Sequence, residues 1–238
     1  MTMKKVITLK ITLYTPTAKW REKDKMDNII RPGSDKGKER TIEKSRPKLN
    51  IYSNIVNEIR SQNYTQDNVE DAANKFLELQ NNVDPPIKII DICQNLGFSV
   101  YQQELPEDIC GYIMINGELK DNFDTDKIIS VNSNESNKRR RFTVAHELGH
   151  YLFDFDPNES IQYFDMFEID HLNGDWQEDR ANRFAAELLM PKTAIKSKYY
   201  ELKGEGKNLY DVVQRISDYF LVPPKAVEVR LKKELQLA

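Results

Sequence analysis

No apolar run in these 238 residues approaches the roughly eighteen that a membrane-spanning helix needs, and no signal-peptide pattern opens the chain. Both absences point to an intracellular, cytoplasmic protein without a membrane partner. Cysteine is scarce too. Cys93 and Cys110 are the only two, and they form no C-x-x-C pattern, which suits a reducing compartment. Both read as core residues, Cys93 within an apolar helical pattern and Cys110 just before a strand. No internal repeat is visible, which argues against a solenoid. Histidine is the third scarcity, with three residues in the whole chain.

What is present is a very polar composition, 39% hydrophobic and 31% charged, enough for one main domain with an appendage. The net charge of -3 hides an asymmetry. Residues 1–50 carry 14 Lys and Arg against 6 Asp and Glu, and residues 51–238 carry 21 against 32. The arm is therefore +8 and the body -11. A basic arm on an acidic body can meet nucleic acid, but this one lacks regular aromatic interleaving, so a solvated arm is the favoured reading. Residues 3–14 alternate like a strand, and 15–48 are too polar to bury and read as disordered.

From residue 49 the texture is that of a folded α+β domain. Helical spacing runs through Ile51, Ile55, Val56 and Ile59, and again from Val69 to Leu79. Asp84-Pro85-Pro86 breaks the chain, and a short helix from Ile89 stops at Gly97. Strands are expected at 98–101, 111–115 and 127–131, and a loop across 154–175. Helices are expected over 175–190, 192–202, 209–220 and from Pro223-Pro224 through Leu235, the last three forming a helical C-terminal segment, 192–238. The basic run Lys138–Arg141 opposes the macrodipole at a helix start, so solvent and acidic neighbours should compensate it. A nucleic-acid footprint is not favoured there.

Two of the three histidines fall in His146-Glu147-Leu148-Gly149-His150, an H-E-x-x-H pattern. Chance supplies it in fewer than about one chain in a hundred of this composition. Phe142, Ala145, Leu148, Gly149 and Leu152 make an apolar stripe without proline, so the segment is expected to be helical. His146 and His150 then lie one turn apart on one face and can share one metal ion, with Glu147 beside them to take a proton from water. A third ligand is needed, and His171, Asp175, Glu178, Asp179 and Glu187 are candidates. Glu178 fits best, because Asn182 follows one turn later and can hold the far nitrogen of a ligating histidine. Glu187 reads as a surface residue. His171, Tyr163, Tyr199 and Tyr200 are equal candidates to donate to an oxyanion.

The stretch Arg141–His150, followed by Glu178-Asp179-Arg180-Ala181-Asn182-Arg183-Phe184-Ala185-Ala186-Glu187-Leu188-Leu189-Met190-Pro191, resembles the ImmA/IrrE metallopeptidase family. The similarity runs from about Pro85 to Leu235 and includes Pro85-Pro86-Ile87 and Ile109-Cys110-Gly111-Tyr112-Ile113. It implies a compact, gluzincin-like, helix-rich fold with a small sheet against the H-E-x-x-H helix. It implies His146, His150 and Glu178 as ligands of one divalent ion, zinc above others, and Glu147 as general base. The implied substrate is a helix-turn-helix repressor, cut to induce genes of a mobile element or a stress response. Nothing in the resemblance covers the arm at 1–48, so the metallopeptidase domain is taken as 49–238. The strand Gly111–Ile115 is expected to offer its edge to an extended substrate. Two alternatives stand beside this: a non-catalytic, metal-stabilised regulator that binds a protein or DNA, and a toxin-type component of a mobile element.

Overall fold

The computed structural model describes residues 51–62, 68–79, 84–117, 119, 125–156 and 176–236, and the backbone alone of 18–19, 46–50 and 161–167. The expected strand at 3–14 and most of the expected disordered stretch lie outside these residues. The described elements are β1 (Ala18–Lys19), α1 (Arg46–Ser61), α2 (Val69–Glu78), α3 (Ile89–Asn95), β2 (Ser99–Gln103), β3 (Ile109–Asn116) and β4 (Lys127–Asn132). Then come α4 (Asn137–Phe153), β5 (Ile161–Phe167), α5 (Trp176–Leu189), α6 (Lys192–Gly204), α7 (Leu209–Phe220) and α8 (Pro224–Leu235). The fold is α+β, with one sheet in the order β1-β2-β4-β3-β5. β2 and β4 are parallel and the other pairs antiparallel.

Local chemistry sets several of these boundaries. Gly97 takes φ 87° after α3, the Phe98 amide reaches the Cys93 carbonyl at 2.9 Å, and the Gly97 amide reaches that of Gln94 at 3.0 Å. That pair of bonds is a Schellman stop, and it turns the chain straight into β2. Ser136 caps α4 by accepting from the Arg139 amide, and Asn208 caps α7 by accepting from the Asp211 amide.

α4 is the central element. Every residue from Arg141 to Leu152 is buried, so this helix is enclosed all round rather than along one stripe. The sheet packs on one side of it and α5 on another, with α1 and α3 filling in. Val100, Ile113, Ile129 and Val131 send the sheet's inner face into the main core, while Tyr101, Met114, Leu119 and Ile128 form a small cluster of their own. Gly111 marks where α4 crosses β3. A Cβ there would lie 2.6 Å from Thr143 Cγ2 and 2.7 Å from the Ser130 carbonyl oxygen, so only glycine fits.

The structure corrects four expectations. The stretch 154–175, read as loop, contains β5, which pairs antiparallel with β3 from Ile109↔Phe167 to Asn116↔Ile161. That pairing supplies from a distant strand the order that the local pattern does not demand. In consequence β3 has no free edge: β4 holds one side and β5 the other, so the stretch Gly111–Ile115 cannot take up a substrate strand. Ala18–Lys19, read as linker, pairs with Gln102 and Tyr101 of β2. Glu187, read as a surface residue, is 3% exposed and gripped by Arg230 through both terminal nitrogens.

The basic run at the start of α4 is held differently from expectation. Acidic neighbours contribute through Asp218, which meets Lys138 at 2.6 Å. Carbonyl oxygens do more: Arg140 donates to Ser133, and the buried Arg141 donates to Ile87 at 2.6 Å and to Leu221 at 3.3 Å. Arg141 thereby ties the helix start to the loop before α3 and to the α7–α8 turn. Among the described residues no helix is long and apolar enough to cross a membrane.

Candidate metal centre

α4 sets His146 and His150 one turn apart with rings edge to face, centroids 4.7 Å apart and Nε2 atoms 2.9 Å apart. They are 0% and 1% exposed. α5 brings Glu178 against both. Its Oε2 lies 3.1 Å from His146 Nε2 and its Oε1 3.1 Å from His150 Nε2. The Glu178 side chain is 39% exposed, so the cluster is open on that side.

The approach of α5 depends on small residues. A Cβ on Gly149 would come 3.0 Å from the Ala181 Cα, so α4 and α5 meet almost backbone to backbone. Ala181, Phe184, Ala185 and Leu188 make the buried stripe of α5, as their spacing predicts. Glu178 and Asn182, one turn apart, then face the same histidines.

Both far nitrogens are held. His146 Nδ1 lies 3.0 Å from Asn182 Oδ1, and His150 Nδ1 lies 2.8 Å from Asp154 Oδ2. Both partners are acceptors, so each Nδ1 carries the proton and donates it. In the neutral rings both Nε2 atoms therefore present lone pairs to one another and to a carboxylate. Three such donors at 2.9 to 3.1 Å repel unless a cation stands among them, so the set fits a divalent ion.

The titration of the metal-free site reflects the same demand for positive charge. Burial pushes His146 below its ordinary value, against the pull of Glu178. Burial also opposes charge on His150, but Asp154, Glu178 and the nearby Glu147 outweigh it and raise that imidazole to about 10. Burial likewise opposes charge on Glu178 and Asp154, yet their histidine partners hold both below the usual carboxylate range. One proton on His150 thus stands where a metal would.

Asp154 is the participant that sequence reasoning missed. It lies four residues after His150, its side chain is 1% exposed, and Gln177 and Arg180 of α5 donate to its other oxygen at 2.8 and 2.5 Å. The available signal was the i, i+4 spacing from His150. Glu147 is fully buried and acts electrostatically on His150. Of the other candidates, Asp179 borders a groove on α5, and Glu187 is committed to Arg230. Tyr199 and Tyr200 meet each other at 5.3 Å on α6, which packs on α7 and α8. Asp175 and His171 lie outside the described residues, as does the side chain of Tyr163 in β5.

The sequence model of the IrrE N-terminal-like domain, a peptidase family, matches residues 113–232. The Metallopeptidase ImmA of Bacillus subtilis (strain 168) is 26% identical over 118 residues, which is 50% of this chain and 63% of that protein. A solved structure of a Mycobacterium tuberculosis transcriptional regulator aligns with a TM-score of 0.45 and 16% identity, over 78% of this chain and 51% of that one. The chain thus spans less than two thirds of the length of either protein. With half its length matched by that family model, the chain belongs to the ImmA/IrrE family of metallopeptidases.

Proposed function

We propose that this chain is a metal-dependent endopeptidase whose catalytic unit is residues 49–238. The observation that carries the reading is the convergence of His146 Nε2, His150 Nε2 and the Glu178 carboxylate within 3.1 Å, next to the buried Glu147. In this reading His146, His150 and Glu178 hold one zinc ion, for which two imidazoles and a carboxylate are a suitable donor set. When bound, that ion supplies Lewis acidity to the scissile carbonyl and makes water a stronger acid.

The chain's own residues do the rest. Glu147 takes a proton from the attacking water as its oxygen bonds to the carbonyl carbon, then delivers that proton to the leaving nitrogen as the C–N bond breaks. Asn182 and Asp154 keep both imidazoles in the tautomer that leaves Nε2 free to ligate. His171 and Tyr163 are the candidates to donate to the carbonyl oxygen as it gains charge. With β3 occupied on both sides, β5 is the strand whose outer edge takes an extended substrate segment.

The substrate in this reading is a cytoplasmic helix-turn-helix repressor, cut to release the genes it silences. The test is co-expression with the repressor encoded beside this chain, comparing wild type with Glu147→Gln. Cleavage by the wild type alone, with equal zinc content in both proteins, supports the proposal. An intact repressor in both strains rejects that substrate, and equal cleavage by both rejects Glu147 as the base.

A further inference from the structure

A groove of about 540 Å³ lies between α5 and α8, closed at one end by the start of α4. Its apolar lining is Phe142, Ala186, Ala226 and the exposed Val229. Its walls are cationic. Arg139, Arg183, Lys225, Arg230 and Lys233 line it, against Asp179 and Glu187. Glu187 is already shared by Arg230 and Lys233, and Lys225 has only a long, exposed contact to Glu228 at 3.4 Å. Five cations and two acids line the groove, with Glu234 on Arg230 and Glu228 beside Lys225 just outside the lining, on a body, residues 51–238, whose net charge is -11. Asn182 belongs to both places. It lines the groove and holds His146.

We infer that this groove binds an acidic segment of the polypeptide on which the chain acts, seating Asp or Glu side chains against Arg183 and Lys225 and an apolar neighbour on the apolar lining. The inference rests on the peptidase reading for the identity of its ligand. Charge complementarity selects the occupant. The chain's own arm, at +8, is repelled by these walls. The apolar part of the lining distinguishes the two anionic candidates, an acidic peptide and nucleic acid, because it has nothing to offer a phosphate backbone. An acidic peptide meets the walls with its carboxylates and the apolar lining with its aliphatic side chains. The shared Asn182 makes this pocket a specificity element beside the reacting centre.

The test uses the full chain, zinc-loaded and carrying Glu147→Gln so that nothing is cut. A fluorescein-labelled octapeptide of alternating Glu and Leu is titrated by anisotropy, with its Gln-Leu counterpart as control. Tighter binding of the Glu peptide is expected. Lys225→Glu and Arg183→Glu should each weaken it by about fivefold or more. Lys232→Glu, exposed on α8 but outside the groove, should leave it within about twofold. Matching melting curves establish that each variant is folded, and Lys225→Arg should restore binding.

Equal affinity for the two peptides overturns the inference, as does an equal loss in Lys232→Glu, which would mean unspecific charge attraction. A labelled DNA duplex that binds more tightly than the peptide, and is lost in Lys225→Glu, also overturns it. Repressor cleavage by the wild type together with equal peptide affinities would remove the groove and leave the peptidase. Groove-dependent peptide binding without any cleavage would do the reverse.

Discussion

Asp154 Oδ2 accepts the Nδ1 proton of His150 at 2.8 Å, while its Oδ1 accepts from Gln177 and Arg180 of the neighbouring helix. One carboxylate thus fixes the orientation of the His150 imidazole and clamps α4 to α5, the two helices that together build the candidate metal centre.

Asp154→Asn keeps the shape and removes the charge. The imidazole loses the anion that raises its basicity, so zinc affinity should fall by about 10–100-fold. Competition with a chromophoric chelator measures this directly. Unchanged affinity would show that Asp154 serves only the helix contact.

The metal-free protein should also respond to pH through the same pair. His150 in the folded chain titrates near 10, well above its ordinary 6.5. A raised value stabilises the fold fully below pH 6.5, and that contribution is lost as pH climbs through 10. After chelation, the melting temperature of the wild type should exceed that of Asp154→Asn most near pH 6.5, with the gap narrowing toward pH 10 to what the Arg180 and Gln177 contacts contribute. A gap independent of pH would contradict the assignment of the proton to His150.

Gly149→Ala separates stability from metal binding. Alanine improves the helix by roughly 0.8–1.0 kcal/mol. Its Cβ, however, meets the Ala181 backbone at 3.0 Å and pushes α5, with Glu178, away from the histidines. The expected result is a melting temperature close to wild type in the metal-free form and zinc affinity lowered by about tenfold. Calorimetry and the chelator assay together check both halves.

The Arg230–Glu187 pair should behave as a buried ion pair. Its members are 2% and 3% exposed, and Glu234 and Lys233 complete the network. Arg230→Met leaves a buried carboxylate and should cost about 3–5 kcal/mol. Arg230→Met combined with Glu187→Leu should recover much of that loss, because the Glu187 carboxylate is then gone and Glu234 keeps Lys196. Denaturant titration of both variants gives the two numbers.

Much of the candidate site is legible in the chain itself. His146 with His150, and Glu178 with Asn182, are pairs at i, i+4, and the 3.6-residue turn puts such pairs on one face wherever a helix forms. The helices announced themselves by apolar spacing, and Gly97 and Pro191 by what their backbones allow. The H-E-x-x-H helix was legible for these reasons, as was the α+β class.

Other features depend on which distant segment arrives. Asp154 has the same local spacing as the histidine pair, but only Arg180 and Gln177 of α5 make it a buried anchor. Glu187 looks like any helical acid until α8 lays Arg230 across it. β5 is ordered by β3, and by pairing there it closes the edge that β3 was expected to offer. Periodicity along one helix is a property of the chain itself. Burial of a charge, occupancy of a strand edge and the sign of a groove are set by contacts between elements far apart in sequence, so the tertiary structure alone decided them.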